Sequence, residues 1–145
     1  MNLNALAAIL GKIGDSAGHD ALYYQIRGCF IDARGTLEID PSSVWGFGCR
    51  VITRGHRIAD GRFDPLVVDR PVIVGARAWI GSFATLYNCR IGEGAVVAAG
   101  AVVRSCEVAP HVMVAGNPAR VVARWKGERW ECLPEAESGY ARWLG

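Results

Sequence analysis

Apolar and polar positions along this chain follow neither of the two ordinary rhythms. Between residues 74 and 108 the sequence falls into short units: VGARAW, IGSFAT, LYNCR, IGEGAV, VAAGAV and VRSCEV. Each opens on an aliphatic residue, namely Val74, Ile80, Leu86, Ile91, Val97 and Val103, so the period is six with one five-residue exception. The second position is small (Gly75, Gly81, Gly92, Ala98), and in the same units the fifth is alanine (Ala78, Ala84, Ala95, Ala101). A helix needs apolar residues at 3.6 spacing and a half-buried strand needs them at spacing two. A sixfold repeat with a glycine after the aliphatic predicts a solenoid of short parallel strands. The opening aliphatic then points inward and stacks on its equivalent one coil away. The small fifth residue sits near a corner, and the second-place glycine relieves the backbone where the chain bends.

The rhythm starts at Ile39 with IDPSSV, WGFGCR and VITRGH, whose fifth positions are Ser43, Cys49 and Gly55. Three such units predict one eighteen-residue triangular coil ending at His56. The repeat then breaks. Residues 57–71 carry Gly61, Pro65 and Pro71 and predict an inserted loop, which at that length in a compact domain points to function. The chain therefore divides into an N-terminal cap (1–30), a solenoid (31–122) and a C-terminal extension (123–145). In the cap, Leu3, Leu6, Ala7, Leu10 and Ile13 stand at helical spacing between a possible cap at Asn2 or Asn4 and a stop at Gly14. The extension holds Trp125, Trp130 and Trp143, read as packing residues, and a short helix is expected after Pro134.

Composition narrows the function. The chain has 145 residues, 51% hydrophobic and 21% charged, enough to bury one core. A net charge of +2 without a basic run gives nucleic-acid binding no electrostatic support. No stretch is apolar for the roughly 18 residues a membrane crossing needs, and the N-terminus has no basic region before its short apolar segment. The expected location is the cytoplasm. Five cysteines (Cys29, Cys49, Cys89, Cys106, Cys132) show no ligand-pair spacing, so they read as small hydrophobes in a reducing compartment, with no metal expected.

The run from Pro71 through AWIGS (78–82), IGEGAVVAAGAVV (91–103) and AGNPARVV (115–122) resembles the hexapeptide-repeat acetyltransferases. Among these it is most similar to the sugar O-acetyltransferases of the galactoside, maltose and polysaccharide-modifying type, over residues 39–124. The resemblance implies a left-handed parallel β-helix, an all-β solenoid, with transfer from acetyl-CoA as co-substrate. It also implies a homotrimer with active sites between subunits. The family's catalytic histidine falls on His56, with Pro71 and Trp79 in the expected order downstream. Contacts to CoA fall on Ser82, Ala99, Arg104, Ser105 and Arg120; Arg104–Ser105 departs from the family's usual Thr-Lys pair. A neutral imidazole suits the removal of a hydroxyl proton near neutral pH. An acidic partner for His56 is expected among Asp60, Asp64 and Asp69. Arg27, Arg50, Arg54, Arg57 and Arg62 make this region basic, which suits either an anionic acceptor or CoA phosphates.

Three other readings stay open. One is N-acetylation of an amino sugar, or O-acetylation of serine, on the same fold. Another is a non-catalytic trimeric scaffold. The third is a zinc-dependent carbonic anhydrase on the same solenoid; it needs histidines close in sequence, whereas His19, His56 and His111 are far apart.

Overall fold

The computed structural model describes residues 28–32 and 34–134. The expected helices at residues 3–13 and after Pro134 lie outside them. Fourteen strands follow one another among the described residues: β1 (Phe30–Asp32), β2 (Leu37–Ile39), β3 (Val44–Trp45), β4 (Arg50–Ile52), β5 (Arg54–Ala59), β6 (Arg62–Asp69), β7 (Val72–Val74), β8 (Trp79–Ile80), β9 (Thr85–Ile91), β10 (Val96–Val97), β11 (Val102–Val108), β12 (Val112–Ala115), β13 (Arg120–Trp125) and β14 (Trp130–Cys132). No α-helix occurs among the described residues.

The strands stack in three parallel columns. The first runs β2, β7, the second half of β9 and the second half of β11. The second runs β3, β8, β10 and β12. The third runs β1, β4, the first half of β9 and the first half of β11. Register sets the repeat. Val74 lies beside Ile91 and Ile91 beside Val108; Ile80 lies beside Val97 and Val97 beside Val114. From Val74 onward the coil is therefore seventeen residues. VRSCE is a second five-residue unit, and Val108 opens the next coil.

The aliphatic openings form the core as expected. Ile80, Leu86, Val97 and Val103 are fully buried, and Val74, Ile91 and Val108 nearly so. Each such side chain contributes about 1.5–3 kcal/mol by leaving water. Ala78, Ala84, Ala95, Ala101 and Cys49 are also fully buried, at the corners where bulk would stop the next coil from closing down.

The second-place glycines have a different reason from bending. Left-handed backbone falls at the fourth place of the hexads, at Gly48, Arg77, Phe83, Gly94, Gly100 and His111, and at the third place of the five-residue units, at Asn88 and Ser105. The second-place glycines are needed because the next coil lies against them. A Cβ on Gly81 would stand 2.5 Å from the Ala99 nitrogen, and one on Gly46 would stand 2.4 Å from the Ser82 nitrogen.

After the last coil the chain reverses: β13 pairs antiparallel with β12, and β14 with β13. Val96, Met113 and Ala123 then form a small second cluster against Val122, Trp130 and Cys132.

Candidate functional site

The corner between columns three and one is a single residue in the later coils, Asn88 and then Ser105. One coil earlier, residues 54–69 project from this corner. They are not an irregular loop but an antiparallel hairpin of β5 and β6, turning at Asp60–Gly61, both with positive φ (51° and 72°). His56 lies within β5, beyond the coil end assigned to it by the repeat. Most hairpin side chains face solvent, among them Ile58, Phe63, Leu66 and Val67.

The hairpin base is pinned to the solenoid at several points. The Arg70 backbone N–H donates to the Thr53 carbonyl at 2.7 Å, and Arg70 Nε donates to the Tyr87 hydroxyl at 3.0 Å. Asp69 accepts the Thr36 backbone N–H at 2.8 Å and the Thr36 hydroxyl at 2.5 Å. These bonds from Thr36 hold the Asp69 carboxyl below the usual carboxylate range. Buried Thr53 donates to the Asp32 carbonyl and accepts the Gly35 N–H. Asp32 is itself buried, and its carboxylate takes two side-chain bonds and one backbone bond from Arg34, which lower its pKa.

His56 is oriented by a carbonyl. Its Nδ1 lies 3.1 Å from the Pro65 oxygen. A carbonyl oxygen only accepts, so Nδ1 carries a proton and donates, and in the neutral ring the lone pair is then on Nε2. The Phe63 ring packs against the imidazole edge-on, centroids 4.8 Å apart. None of the three aspartates expected to orient His56 bonds to it. Asp64 accepts from Arg57 and from the Leu66 N–H, and its pKa is lowered chiefly by that N–H, with His56 adding a smaller through-space effect. Asp69 is committed to Thr36, and Asp60 sits in the turn.

The residues expected to bind CoA divide between two corners. Ser82 and Ala99 occupy equivalent places in successive coils, at the corner between columns two and three. The Ser82 hydroxyl accepts the Phe47 N–H at 3.2 Å, and the Ser82 carbonyl accepts the Gly100 N–H. Arg104 lies beside Tyr87 at the far end of column three, and Ser105 accepts a bond from Asn88 at the corner beyond. Arg120 opens β13, exposed, with Nη1 on the Ala119 carbonyl at 3.0 Å. Within one chain, Ser82 and Ala99 therefore stand at the opposite end of the column-three strands from the corner that bears His56.

Sequence reasoning missed the Pro65 carbonyl, for which the sequence carries no signal. It also missed a cleft of about 390 Å³ at the hairpin base, lined by Arg34, Gly35, Thr36, Arg54, Val67 and Asp69. No three His, Cys, Asp or Glu side chains among the described residues are grouped to hold a metal ion. No helix among them is long and apolar enough to cross a membrane.

Residues 71–105 match the family model of the bacterial transferase hexapeptide, six repeats. Over 58 residues, 40% of this chain and 22% of the relative, the sequence is 48% identical to a 2,3,4,5-tetrahydropyridine-2,6-dicarboxylate N-acetyltransferase of Enterococcus faecalis. The chain spans less than a third of the length of the curated relatives it matches. A maltose O-acetyltransferase of Clostridium difficile superposes with a TM-score of 0.55 at 16% identity, over 85% of this chain and 86% of that one. A hexapeptide-repeat acetyltransferase of Vibrio cholerae, solved with acetyl coenzyme A, gives 0.53 at 20% identity over 85% and 86%. At these identities the structural likeness is one of fold. The chain carries transferase-type hexapeptide repeats in the β-solenoid fold of hexapeptide-repeat acetyltransferases.

Proposed function

We propose that this hexapeptide-repeat chain is an acetyl-CoA-dependent acetyltransferase, acting on a hydroxyl by direct attack with His56 as general base. The observation that carries the reading is the Pro65 carbonyl on Nδ1, which fixes the tautomer with Nε2 free to accept a proton.

The acceptor oxygen attacks the thioester carbonyl carbon while its proton passes to His56 Nε2. The imidazolium so formed keeps its Nδ1–H on Pro65. The tetrahedral intermediate collapses, the C–S bond breaks, and the departing thiolate recovers the proton from Nε2. The products are the acetyl ester and CoA thiol. A backbone N–H of the glycine-rich corners is the donor expected to face the oxyanion.

Ser82, Ala99, Arg104, Ser105 and Arg120 are the proposed CoA contacts, along a left-handed coil. Their division between two corners supports a trimer in which the His56 hairpin of one subunit meets the Ser82–Ala99 corner of another. The exposed apolar side chains of the hairpin suit such a contact. A sugar hydroxyl is the proposed acceptor, supported by the fold shared with a maltose O-acetyltransferase. The matching segment of an N-acetyltransferase keeps an amine acceptor as the second reading.

The test is thiol release from acetyl-CoA over a panel of sugars and amino sugars. His56→Ala is expected to lower kcat by about 10²–10⁴-fold while leaving the KM for acetyl-CoA near its wild-type value. An unchanged rate refutes the mechanism.

A further inference from the structure

The cleft at the hairpin base has no part in the chemistry above, yet it opens on the same side of the hairpin as the base. Directly opposed residues of an antiparallel pair share a face, as do residues two apart along a strand. Arg54 is opposite Asp69 and His56 is opposite Val67. Arg54, Val67 and Asp69 line the cleft, so His56 shares its face of the hairpin, about 7 Å along the backbone from Arg54, with its ring on Pro65 and Phe63 on the side toward the turn.

The polar groups of the cleft are unevenly committed. Asp32 is taken up by Arg34, and both Asp69 oxygens are taken up by Thr36. Arg54 acts on these two carboxylates only through space and makes no ion pair or side-chain hydrogen bond with a described residue. Arg54 is exposed, and among the described residues none takes its guanidinium donors. The floor is tight: a Cβ on Gly35 would stand 2.3 Å from both Asp69 Oδ1 and the Thr53 carbonyl. The volume is at the lower end for small-ligand pockets and suits one sugar ring.

We propose that this cleft is the acceptor pocket and that it selects an anionic carbohydrate. The carboxylate or phosphate sits on the Arg54 fork, and a ring hydroxyl reaches His56 Nε2. A guanidinium matches both anions in two-point geometry. Arg34 also lines the cleft, with its charge balanced by Asp32. The inference rests on the acetyl-transfer reading for the role of His56, but its binding claim is measurable without turnover.

Calorimetric titration of the full chain with glucuronate, glucose 6-phosphate and glucose tests it, together with a titration of CoA. At least one anion is expected to bind about tenfold or more tighter than glucose, and the tighter of the two identifies the charged group. Arg54→Gln is expected to abolish the preference and Arg54→Lys to keep part of it, both with CoA affinity unchanged. Equal binding of glucose, no binding of either anion, or a preference that survives Arg54→Gln overturns the proposal. So does a loss of CoA affinity in Arg54→Gln, which would place the guanidinium on the donor instead. If the anions bind as expected but no thiol is released from acetyl-CoA with any acceptor, acetyl transfer fails and the anion site stands.

Discussion

Replacing Gly81 by alanine tests both the seventeen-residue stacking and its bearing on the donor site. The added methyl would meet the Ala99 nitrogen at 2.5 Å, and the Ala98 carbonyl carbon and Val97 oxygen at 2.8 Å. All three are backbone atoms of the next coil, tied to Gly81 by the bond from its N–H to the Val97 carbonyl at 2.7 Å. No side chain can rotate away, so the coils must part locally. Overpacking of this kind costs about 1–3 kcal/mol. For a chain of this size that is a fall of roughly 3–10 °C in Tm, read by calorimetry at fixed protein concentration. Because Ala99 and Ser82 flank the clash, affinity for acetyl-CoA is expected to fall as well. Gly75→Ala gives a graded comparison, since its nearest atom is the Glu93 nitrogen at 2.9 Å. The expected order of damage is Gly81 above Gly75. A Gly81→Ala protein as stable as wild type, or a reversed order, would refute close approach as the reason for the second-place glycine.

Two further outcomes follow from burial and charge. Burial pushes the Cys89 thiol up to about 12, with Cys106 adding to the shift, and Cys49 is raised by its hydrogen bond with Cys29 and by burial. Iodoacetamide at pH 8 should therefore label exposed Cys106 first and half-buried Cys132 more slowly, leaving Cys29, Cys49 and Cys89 untouched until the chain unfolds. Peptide mass spectrometry reads the order, and early labelling of Cys89 contradicts it. The carboxyls of Asp32, Asp64 and Asp69 are all held below their ordinary value of 3.8 by bonds made in the folded state. Depressed carboxyls stabilise fully above the unfolded value, and that contribution fades as pH falls through the folded one. The hairpin should hold constant protection above about pH 5 and loosen below pH 3.8. Hydrogen exchange of the β5 and β6 amides, corrected for intrinsic rate, measures this. Equal protection at pH 3 and pH 6 counts against the Asp69–Thr36 contact as the latch, and Asp69→Asn should reduce the pH dependence at the hairpin base while leaving the part due to Asp64, which accepts from Arg57 and the Leu66 N–H.

The solenoid was legible because its rule is one-dimensional. Every inward aliphatic from Ile39 to Val108 faces its own equivalent, so a periodic constraint in space leaves a periodic trace in sequence. What escaped were the reasons behind the pattern. A small second residue can mean a left-handed bend or a backbone pressed against it, and composition does not separate the two. Arg77, Phe83 and His111 carry left-handed corners at the fourth place, and Asn88 one at the third place of its five-residue unit, without being glycine, which hid the bends. The second five-residue unit escaped because VRSCEV reads as a full hexad until Val108 is seen to pair with Ile91.

The hairpin escaped for a different reason, and that reason bears on function. Asp60–Gly61 is a hairpin signal in its own right, with two positive φ angles of the kind two-residue turns favour. It was obscured because β5 and β6 lack the in-out alternation of a half-buried strand; both are exposed along most of their length. A two-stranded ribbon of that kind is marginal unless it is held from outside. Here the hold is concentrated at the base, where Asp69 meets Thr36 and Arg70 meets Tyr87, and it comes from residues far away in sequence. The same long-range contacts build the cleft at the hairpin base. The family resemblance, with its place before the break, could single out His56, but not the carbonyl that its ring meets or the cleft on its face of the hairpin. Those belong to a corner assembled from three successive coils, where no period operates.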